Sequence, residues 1–282
     1  MLTLKPTGGL CNRMLAIDSA IQICRETNSP LHIHWVKNHY LNASFFELFE
    51  PFMVSDIKIT IHETSQKEVL YSDKELPHTK QKIYNWLIKR YQLLHFDQVY
   101  HSYETTRMIE LGHDFSTEIK NKNVLITSWT RLIPGNLDQT LFIPTSHIQE
   151  YISKLTSKFS ANNIGVHIRR SDHLDAIANS PTELFIKKMN EEIAVNEDTC
   201  FFVASDSLRE KQQLKSIFKD RIITSDAEDG DRNSSTGMQM AMIDLYCLSK
   251  TKKIYGSFSS TFSSVASELK NADFEEITTK IE

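Results

Sequence analysis

Residues 164–172 read Ile-Gly-Val-His-Ile-Arg-Arg-Ser-Asp, and this stretch decides how the rest of the chain is interpreted. Its first five residues form a short apolar run that predicts a buried β-strand ending at Ile168. Arg169 and Arg170 follow directly. Adjacent guanidinium groups repel each other, so the pair indicates an anion that accepts hydrogen bonds from both, with Asp172 orienting one of them. The alternative is a surface basic pair neutralised by Asp172.

Size and composition bound the class of protein. A chain of 282 residues suits one large domain or two of moderate size. A net charge of -4 argues against a protein that binds nucleic acid through a broad basic surface. No apolar run approaches the roughly 20 residues that cross a bilayer, and no signal peptide precedes the first predicted strand. We therefore expect a cytoplasmic protein without a membrane span.

The cysteines and acidic residues show no metal-binding pattern. None of the four cysteines belongs to a CxxC pair, and each lies within an apolar stretch: Cys11, Cys24, Cys200 and Cys247. We interpret them as small buried hydrophobic residues in a reducing compartment, which makes a zinc site improbable. We find no His/Asp cluster with metal-ligand spacing, so we expect neither a metal site nor a cofactor.

The chain opens with a strand, a glycine turn and a helix. A strand is predicted at residues 2–4, a tight turn at Gly8 and Gly9, a helix at 14–25 and a second strand at 30–36. This order places backbone N–H groups and a helix N-terminus against an anion. Because the turn lacks the GxGxxG pattern, a dinucleotide ligand is not favoured.

A predicted helix at residues 83–94 carries a stripe of aromatic and aliphatic residues: Tyr84, Trp86, Leu87, Tyr91 and Leu94. Such a stripe could stack against a sugar ring, but it is more often part of a core, and we expect the core role. Further predicted strands lie at 54–61 and 123–128. Pro144 precedes a predicted helix at 146–159, so we place a domain boundary there, between residues 1–145 and 146–282.

Strands and helices alternate through the second half, which predicts right-handed βαβ units on a parallel sheet and hence an α/β fold. Strands are predicted at 164–168, 200–204, 221–224 and 253–255, and a final helix at 262–269. Polar residues follow each strand, and carboxyl ends of parallel strands share one edge, where ligands bind. The residues gathered there are Arg169, Arg170, Asp172, Asp206, Asp226, Ser257, Ser259 and Ser260.

This set suits a diphosphate. Arg169 can neutralise one phosphate, while Ser259, Ser260 and the N–H groups that open the last helix can hold other oxygens. Asp206 and Asp244 can accept hydrogen bonds from a ribose or a base edge. The alternatives are ordinary helix capping for the serines and, for Asp244, a buried carboxylate that needs a partner.

Five short motifs also occur in the order found in one enzyme family. They are Gly8-Gly9-Leu10-Cys11-Asn12-Arg13, His167-Ile168-Arg169-Arg170-Ser171-Asp172, Ala204-Ser205-Asp206, Asp244-Leu245-Tyr246-Cys247-Leu248-Ser249 and Ser257-Phe258-Ser259-Ser260. Together they resemble the fucosyltransferase superfamily: the α1,6-fucosyltransferases, including rhizobial nodulation enzymes, the α1,2-fucosyltransferases and the protein O-fucosyltransferases. The central motif is most similar to that of the α1,6 branch. The resemblance covers the first turn and most of the second half.

The resemblance implies a GT-B-like fold, with two Rossmann-like domains and a cleft between them. It implies a metal-independent, inverting transferase that moves fucose from GDP-fucose to a glycan, glycoconjugate or other hydroxyl acceptor. The N-terminal domain would be the acceptor side and the C-terminal domain would bind the donor.

The resemblance also assigns roles by position. Arg169 resembles the arginine that binds the β-phosphate and supports the departing GDP, and His167 resembles the histidine beside it that touches the nucleotide. Asn12, in the turn with Gly9 and Arg13, resembles an asparagine that reaches the donor. Other positions that match nucleotide or phosphate contacts are Asp206, Asp244 and Ser259.

The expected reaction is direct displacement at the anomeric carbon, with Asp172 or Asp175 as the candidate base. The family's glutamate has no match in register, and its lysine after the central motif is His173 here. Three alternatives stay open: a transferase with another nucleotide sugar, a non-catalytic nucleotide- or sugar-binding module, and a phosphate-binding hydrolase. The hydrolase would need a nucleophile or a metal set that the sequence lacks.

Overall fold

The structure is a computed structural model, and it describes residues 1–64, 78–171, 173–225 and 233–280. The chain divides into two compact units, Met1–Ile143 and Pro144–Glu282. Asp172, one of the two predicted bases, and Asp226 lie outside the described residues.

The first unit is an α/β unit with a five-stranded parallel sheet in the order β3-β2-β1-β5-β4. Its elements are β1 (Leu2–Pro6), α1 (Leu10–Thr27), β2 (Leu31–Val36), α2 (Phe45–Leu48), β3 (Ile59–Thr64), α3 (His78–His95), β4 (Gln98–Tyr100), α4 (Ser102–Glu110), α5 (Phe115–Ile119) and β5 (Val124–Ser128).

The second unit contains another five-stranded parallel sheet, in the order β10-β9-β6-β7-β8. Its elements are α6 (Ser146–Thr156), β6 (Asn163–Ile168), α7 (Leu174–Asn179), α8 (Thr182–Val195), β7 (Cys200–Ser205), α9 (Leu208–Phe218), β8 (Ile222–Ile223), α10 (Ser235–Ser249), β9 (Lys253–Ser257), α11 (Thr261–Glu268) and β10 (Asp273–Ile277). The predicted α/β class with two Rossmann-like halves is therefore confirmed.

The strand order identifies the crevice in each sheet. In each unit the first strand lies at the centre, and the next two strands extend outwards from it on one side. On the other side the second sheet continues outwards from β9 to β10, whereas in the first sheet β4 forms the edge and β5 lies beside β1. The order reverses between β1 and β5 in the first unit and between β6 and β9 in the second. Ligands of open α/β sheets bind at such switch points, outside the carboxyl ends of the strands. The loops after β1, β6 and β9 are therefore the places for a ligand.

Close packing holds β6 and β9 against the helices that cover them. A Cβ atom at Gly165 would lie 2.7 Å from Thr251 Oγ1, and one at Gly256 would lie 2.4 Å from Ser263 Oγ. Only glycine fits at these two positions. Gly165 lies in the middle of β6, where Leu248 of α10 would be 3.0 Å from the added Cβ, and Gly256 is the next-to-last residue of β9. The helices α10 and α11 therefore pack directly on these two strands.

The first helix starts earlier than predicted. Gly9 is its N-cap, with extended backbone angles, and Gly8 turns the chain with a φ of 77°. Asn12 and Arg13 therefore lie in the first turn of α1 rather than in the preceding loop. The helix ends at Asn28, whose left-handed φ of 48° stops the hydrogen-bonded ladder.

Two other predictions are wrong. The strand predicted at 54–61 is β3, which occupies Ile59–Thr64. The helix predicted as the last element is followed by β10, which reads Asp-Phe-Glu-Glu-Ile. Charged residues on an exposed edge strand hide its apolar alternation, which is why the sequence did not reveal it.

The core role predicted for the stripe of the third helix is also wrong. Trp86, Leu87 and Leu94 on α3 are about half exposed or more, and Tyr91 is partly exposed and stacks on His95 with ring centroids 3.8 Å apart. Within the described ranges, no helix has the length and apolar character needed to cross a membrane. The four cysteines are free thiols, three of them buried and Cys200 partly exposed.

Candidate active site

The loop after β6 is attached to both neighbouring strands. The backbone N–H of Arg169 donates to Ser257 Oγ at the end of β9, over 2.9 Å. The next N–H, of Arg170, donates to Asp206 Oδ1 beyond β7, over 2.8 Å. Since β6 lies between these two strands, its terminal loop is fixed from both sides.

The two arginines have different environments. Arg169 Nη1 lies 2.6 Å from Asp206 Oδ2, and its side chain is 13% exposed. Arg170 is turned into the protein. Its Nε lies 3.2 Å from Glu210 Oε1, and its other nitrogens donate to acceptors of the second unit: Arg169 O, Ser180 O and Thr182 Oγ1. The predicted shared grip of two guanidinium groups is therefore not what the structure shows, because most of the five donors of Arg170 are used internally.

Asp206 organises this loop. Besides the guanidinium of Arg169, it accepts hydrogen bonds from the backbone N–H groups of Arg170 and Ser171 and, over 2.6 Å, from Ser171 Oγ. Burial alone would raise the pKa of this carboxyl group. The charge of Arg169 and the donated hydrogen bonds outweigh burial, so the pKa lies below its ordinary value. Asp206 therefore stays ionised and holds Arg169, whereas the sequence predicted contact with a ribose or base.

His167 is buried behind the loop. Its Nδ1 lies 3.1 Å from Ser263 Oγ, and its ring stacks on that of Phe262 with centroids 4.7 Å apart. Burial lowers its pKa to about 4, against the opposing charge of Asp206. The imidazole is therefore neutral near pH 7. Both contacts join the end of β6 to α11, the helix that follows β9.

The serines after β9 fall into two groups. Ser257 is fully buried, accepts from Arg169 N–H and donates to His167 O over 3.3 Å, so it joins two strand ends. Ser259 is exposed, with a left-handed φ of 53°, and its N–H donates to Glu276. Ser260 is the N-cap of α11, and its side chain makes no capping hydrogen bond. Ser259 and Ser260 thus lie between the end of β9 and the start of α11.

Asp244 forms a buried pair with a residue that the sequence did not single out. Lys211 Nζ on α9 lies 3.6 Å from Asp244 Oδ2 and 3.3 Å from Ser225 Oγ. Burial raises the pKa of Asp244, and Lys211 opposes that rise. Asp244 Oδ1 is buried and has no hydrogen-bond partner. Asp244 is therefore a buried carboxylate with a charged partner, which was the alternative to a role in ligand binding. One of its oxygens remains an unsatisfied acceptor.

In the first unit, Arg13 is completely buried. Its guanidinium donates to Gly8 O, to Val36 O over 2.8 Å and to Asn38 Oδ1, and it lies 4.8 Å from the centre of the Trp35 ring. These contacts tie the glycine turn to the end of β2. Arg13 therefore shapes the turn that carries Gly9 and Asn12, and its observed donors are directed at the protein.

The remaining predicted base, Asp175, is exposed in the first turn of α7. His173 caps that helix by accepting from Ala176 N–H over 3.0 Å. Among the residues that the structure describes, no group of three or more His, Cys, Asp or Glu side chains could hold a metal ion.

Comparison with protein-family models found no match, and comparison with curated proteins also found none. Solved structures do match. The NodZ alpha-1,6-fucosyltransferase soaked with GDP-fucose is 17% identical, with a TM-score of 0.65, and the match covers 95% of this chain and 92% of that one. The fucosyltransferase NodZ from Bradyrhizobium, with no ligand named, is also 17% identical, with a TM-score of 0.63. That match covers 94% of this chain and 92% of the other.

Two other solved structures share the fold. POFUT1 in complex with GDP-fucose is 12% identical, with a TM-score of 0.57 and 98% and 97% of the two chains covered. A variant of FUT1 from Arabidopsis thaliana in complex with GDP is 16% identical, with a TM-score of 0.57 and 98% and 69% covered. At these identities the likeness shows a common fold. The chain therefore has the fold of these solved structures, as the five motifs predicted.

Sequence reasoning missed the residues that hold the motif in place. Glu210, Thr182 and Ser180 bind Arg170, and Lys211 binds Asp244. Glu210 and Lys211 lie in the first turn of a helix, where charged residues are common, so nothing in the sequence distinguishes them. The one available signal was the arginine pair itself. Two adjacent guanidinium groups need more than one carboxylate nearby, so a second acidic partner besides Asp206 could have been sought.

Proposed function

We propose that this chain is a glycosyltransferase that transfers fucose from GDP-fucose to a hydroxyl group of a glycan or glycoconjugate. The fold supports this proposal, because it is shared over almost the whole chain with proteins that are fucosyltransferases by name and were crystallised with GDP or GDP-fucose. The second unit would bind the donor and the first unit the acceptor.

The observation that carries the proposal is the position of Arg169. It follows the central strand at the switch point of the second sheet, and Asp206 fixes its guanidinium while Arg170 is held internally. A preorganised cation at this place is what a departing diphosphate requires. The fold and the local electrostatics therefore point to the same residue.

In the proposed reaction, the acceptor oxygen forms a bond to the anomeric carbon as the bond from that carbon to the β-phosphate oxygen breaks. The electron pair of the broken bond leaves with GDP, and Arg169 offsets the charge that grows on the β-phosphate. Asp172 or Asp175 takes the acceptor proton. Displacement from the opposite face inverts the anomeric centre, and arginine takes the place that a metal cation has in other transferases.

The other predicted site residues would complete the donor site. Ser259, Ser260 and the N–H groups that open α11 would bind phosphate oxygens, and Asp244 Oδ1 would accept from the base. Neutral His167 would support the nucleotide through its contact with α11. Gly9 and Asn12 would also contact the donor, with Arg13 shaping their turn.

The first test is ligand binding by the purified chain. Thermal unfolding should shift upwards with GDP and much less with UDP or ADP, because a ligand that binds only the native state stabilises it by mass action. GDP release from GDP-fucose should then be measured with and without a panel of hydroxyl acceptors, and in the presence of EDTA. A UDP or ADP preference would instead identify another nucleotide sugar.

The second test is an arginine substitution. Arg169→Ala should lower the rate of GDP release about a hundredfold or more. The control is Arg25→Ala, since Arg25 is also ion-paired, to Asp56 and Asp138, but lies near the end of α1 in the first unit. Near wild-type turnover in Arg169→Ala would overturn the mechanism. If the wild-type chain bound GDP but released none from any nucleotide-sugar donor, it would be a binding module instead of an enzyme.

A further inference from the structure

The third helix presents its apolar residues to solvent. Five large side chains of α3 are strongly exposed: Ile83 at 64%, Trp86 at 60%, Leu87 at 48%, Leu93 at 70% and Leu94 at 74%. At the α-helical spacing of 3.6 residues per turn, they fall within an arc of roughly 120°. Gln92, on the opposite side of the helix, is 7% exposed. The helix is thus inverted, with a polar residue inside and an apolar face outside.

The charge of this helix is equally one-sided. Between His78 and His95 there are four cations, Lys80, Lys82, Lys89 and Arg90, and no aspartate or glutamate. The whole chain has a net charge of -4, so the residues outside this helix carry a net charge of -8. The cations are therefore concentrated on the same helix as the exposed apolar face. Arg90 also lies over the Trp86 ring, 5.9 Å from its centre, within that face.

We propose that α3 binds the surface of a membrane that contains anionic lipids, lying in the plane of the interface. A helix of this kind inserts its apolar face among the acyl-chain ends, while its cations contact lipid phosphates. Trp86 belongs at this depth because an indole ring prefers the headgroup region. Lys89 and Arg90, both exposed, would bind the headgroups through their charged ends.

The charge also decides between a membrane and a second copy of the chain. Two α3 helices packed face to face would bring eight cations together without an acidic residue in either helix to neutralise them. An anionic lipid surface can bury the apolar face among acyl chains and neutralise the cations with its phosphates at the same time. The membrane is therefore the partner that fits both observations.

The experiment is co-sedimentation of the full chain with lipid vesicles. Vesicles of phosphatidylcholine with about 30% phosphatidylglycerol should bind at least about tenfold more protein than pure phosphatidylcholine, and roughly 0.5 M NaCl should abolish most of the difference. The doubly substituted chain Trp86→Ala/Leu94→Ala should lose about tenfold in binding, because the apolar contact is removed. Both residues are exposed, so the variant should unfold at the wild-type temperature.

A matched control is Tyr103→Ala on α4, which removes an aromatic side chain that is 81% exposed on a different helix. It should bind vesicles like the wild type. A second variant, Lys89→Glu/Arg90→Glu, should lose binding to anionic vesicles alone. Equal binding to neutral and anionic vesicles, or wild-type binding by Trp86→Ala/Leu94→Ala, would overturn the proposal. So would a vesicle-free dimer that this variant converts to a monomer, which would identify self-association.

Discussion

The loops after β1 and β6 are equivalent in topology and opposite in chemistry. Each follows the central strand of a five-stranded parallel sheet, and each brings an arginine to a switch point. Arg13 is 0% exposed and donates to two backbone carbonyls and an amide oxygen. Arg169 is paired with a carboxylate, Asp206, and its side chain keeps some exposure.

The difference shows what makes an arginine structural. Carbonyl and amide acceptors satisfy the donors of Arg13 by geometry, so they fix one turn of the chain. The carboxylate of Asp206 fixes the orientation of Arg169 at an end of the sheet where ligands bind. Arg170 resembles Arg13 more than its own neighbour, because its donors are shared among several acceptors of the surrounding elements. Motif position alone does not separate the two kinds.

The largest expected effect is on stability, at Arg13. Arg13→Ala should lower the free energy of unfolding by about 4 kcal/mol, because it removes three hydrogen bonds and leaves a cavity beside Trp35. Urea denaturation of the variant and of Arg25→Ala, which loses only partly exposed ion pairs, should separate them by several kcal/mol. A loss for Arg13→Ala of less than about 1 kcal/mol would contradict a structural role.

The buried pair of the second unit provides a sharper version of the same test. Lys211→Met should cost about 3 kcal/mol, since Asp244 would lose its counter-charge in a buried site. The double variant Lys211→Met/Asp244→Leu should recover most of that loss, and a double-mutant cycle in urea would measure the coupling. If the loss in the double variant equalled the sum of the losses in the two single variants, the pair would not be coupled.

A pH dependence of stability should follow from His167. Its pKa in the folded chain is about 4, below the unfolded value near 6.5, so the unfolded chain binds the proton more readily as the pH falls. His167 should therefore cost about 2 kcal/mol of stability by pH 5 relative to neutral pH. The measurement is the free energy of unfolding of wild type and His167→Gln across this range.

Other groups that titrate in the same range, His34 among them, remain in both proteins, so the difference between the two isolates His167. Parallel pH curves for wild type and His167→Gln would show that the imidazole is not held neutral.

The smallest expected change in stability is at Arg169, although its substitution is expected to have a large effect on activity. Arg169→Ala should cost about 1 kcal/mol of folding free energy, because Asp206 keeps its hydrogen bonds from Arg170 and Ser171. Thermal or urea unfolding checks this value beside the transfer assay. A loss as large as that of Arg13→Ala would place the two arginines in the same structural class.

Much of the fold was predictable because buried parallel strands leave a strong signal. The strands around His167 and Phe202 are mostly apolar, and polar residues follow them at once. Edge strands lack that signal: β10 carries three acidic residues, and its existence depends on pairing with β9. The prediction that the apolar stripe of α3 belongs to the core failed for a different reason. The spacing of residues identifies an apolar face, but it does not show what packs against that face.

Several features followed from the amino-acid sequence alone: the two α/β halves, the glycine turn, and the loop that carries Arg169 and Arg170. They depend on hydrophobic periodicity, turn residues and short motifs. These are local properties of the sequence, so they can be recognised without knowing which residues meet in the folded chain. Tertiary structure alone decided that Asp206 holds Arg169, that Lys211 faces Asp244, and that Trp86 is exposed. Each of these depends on residues far apart in the chain meeting in space, and the burial and charge of a side chain are set by those neighbours.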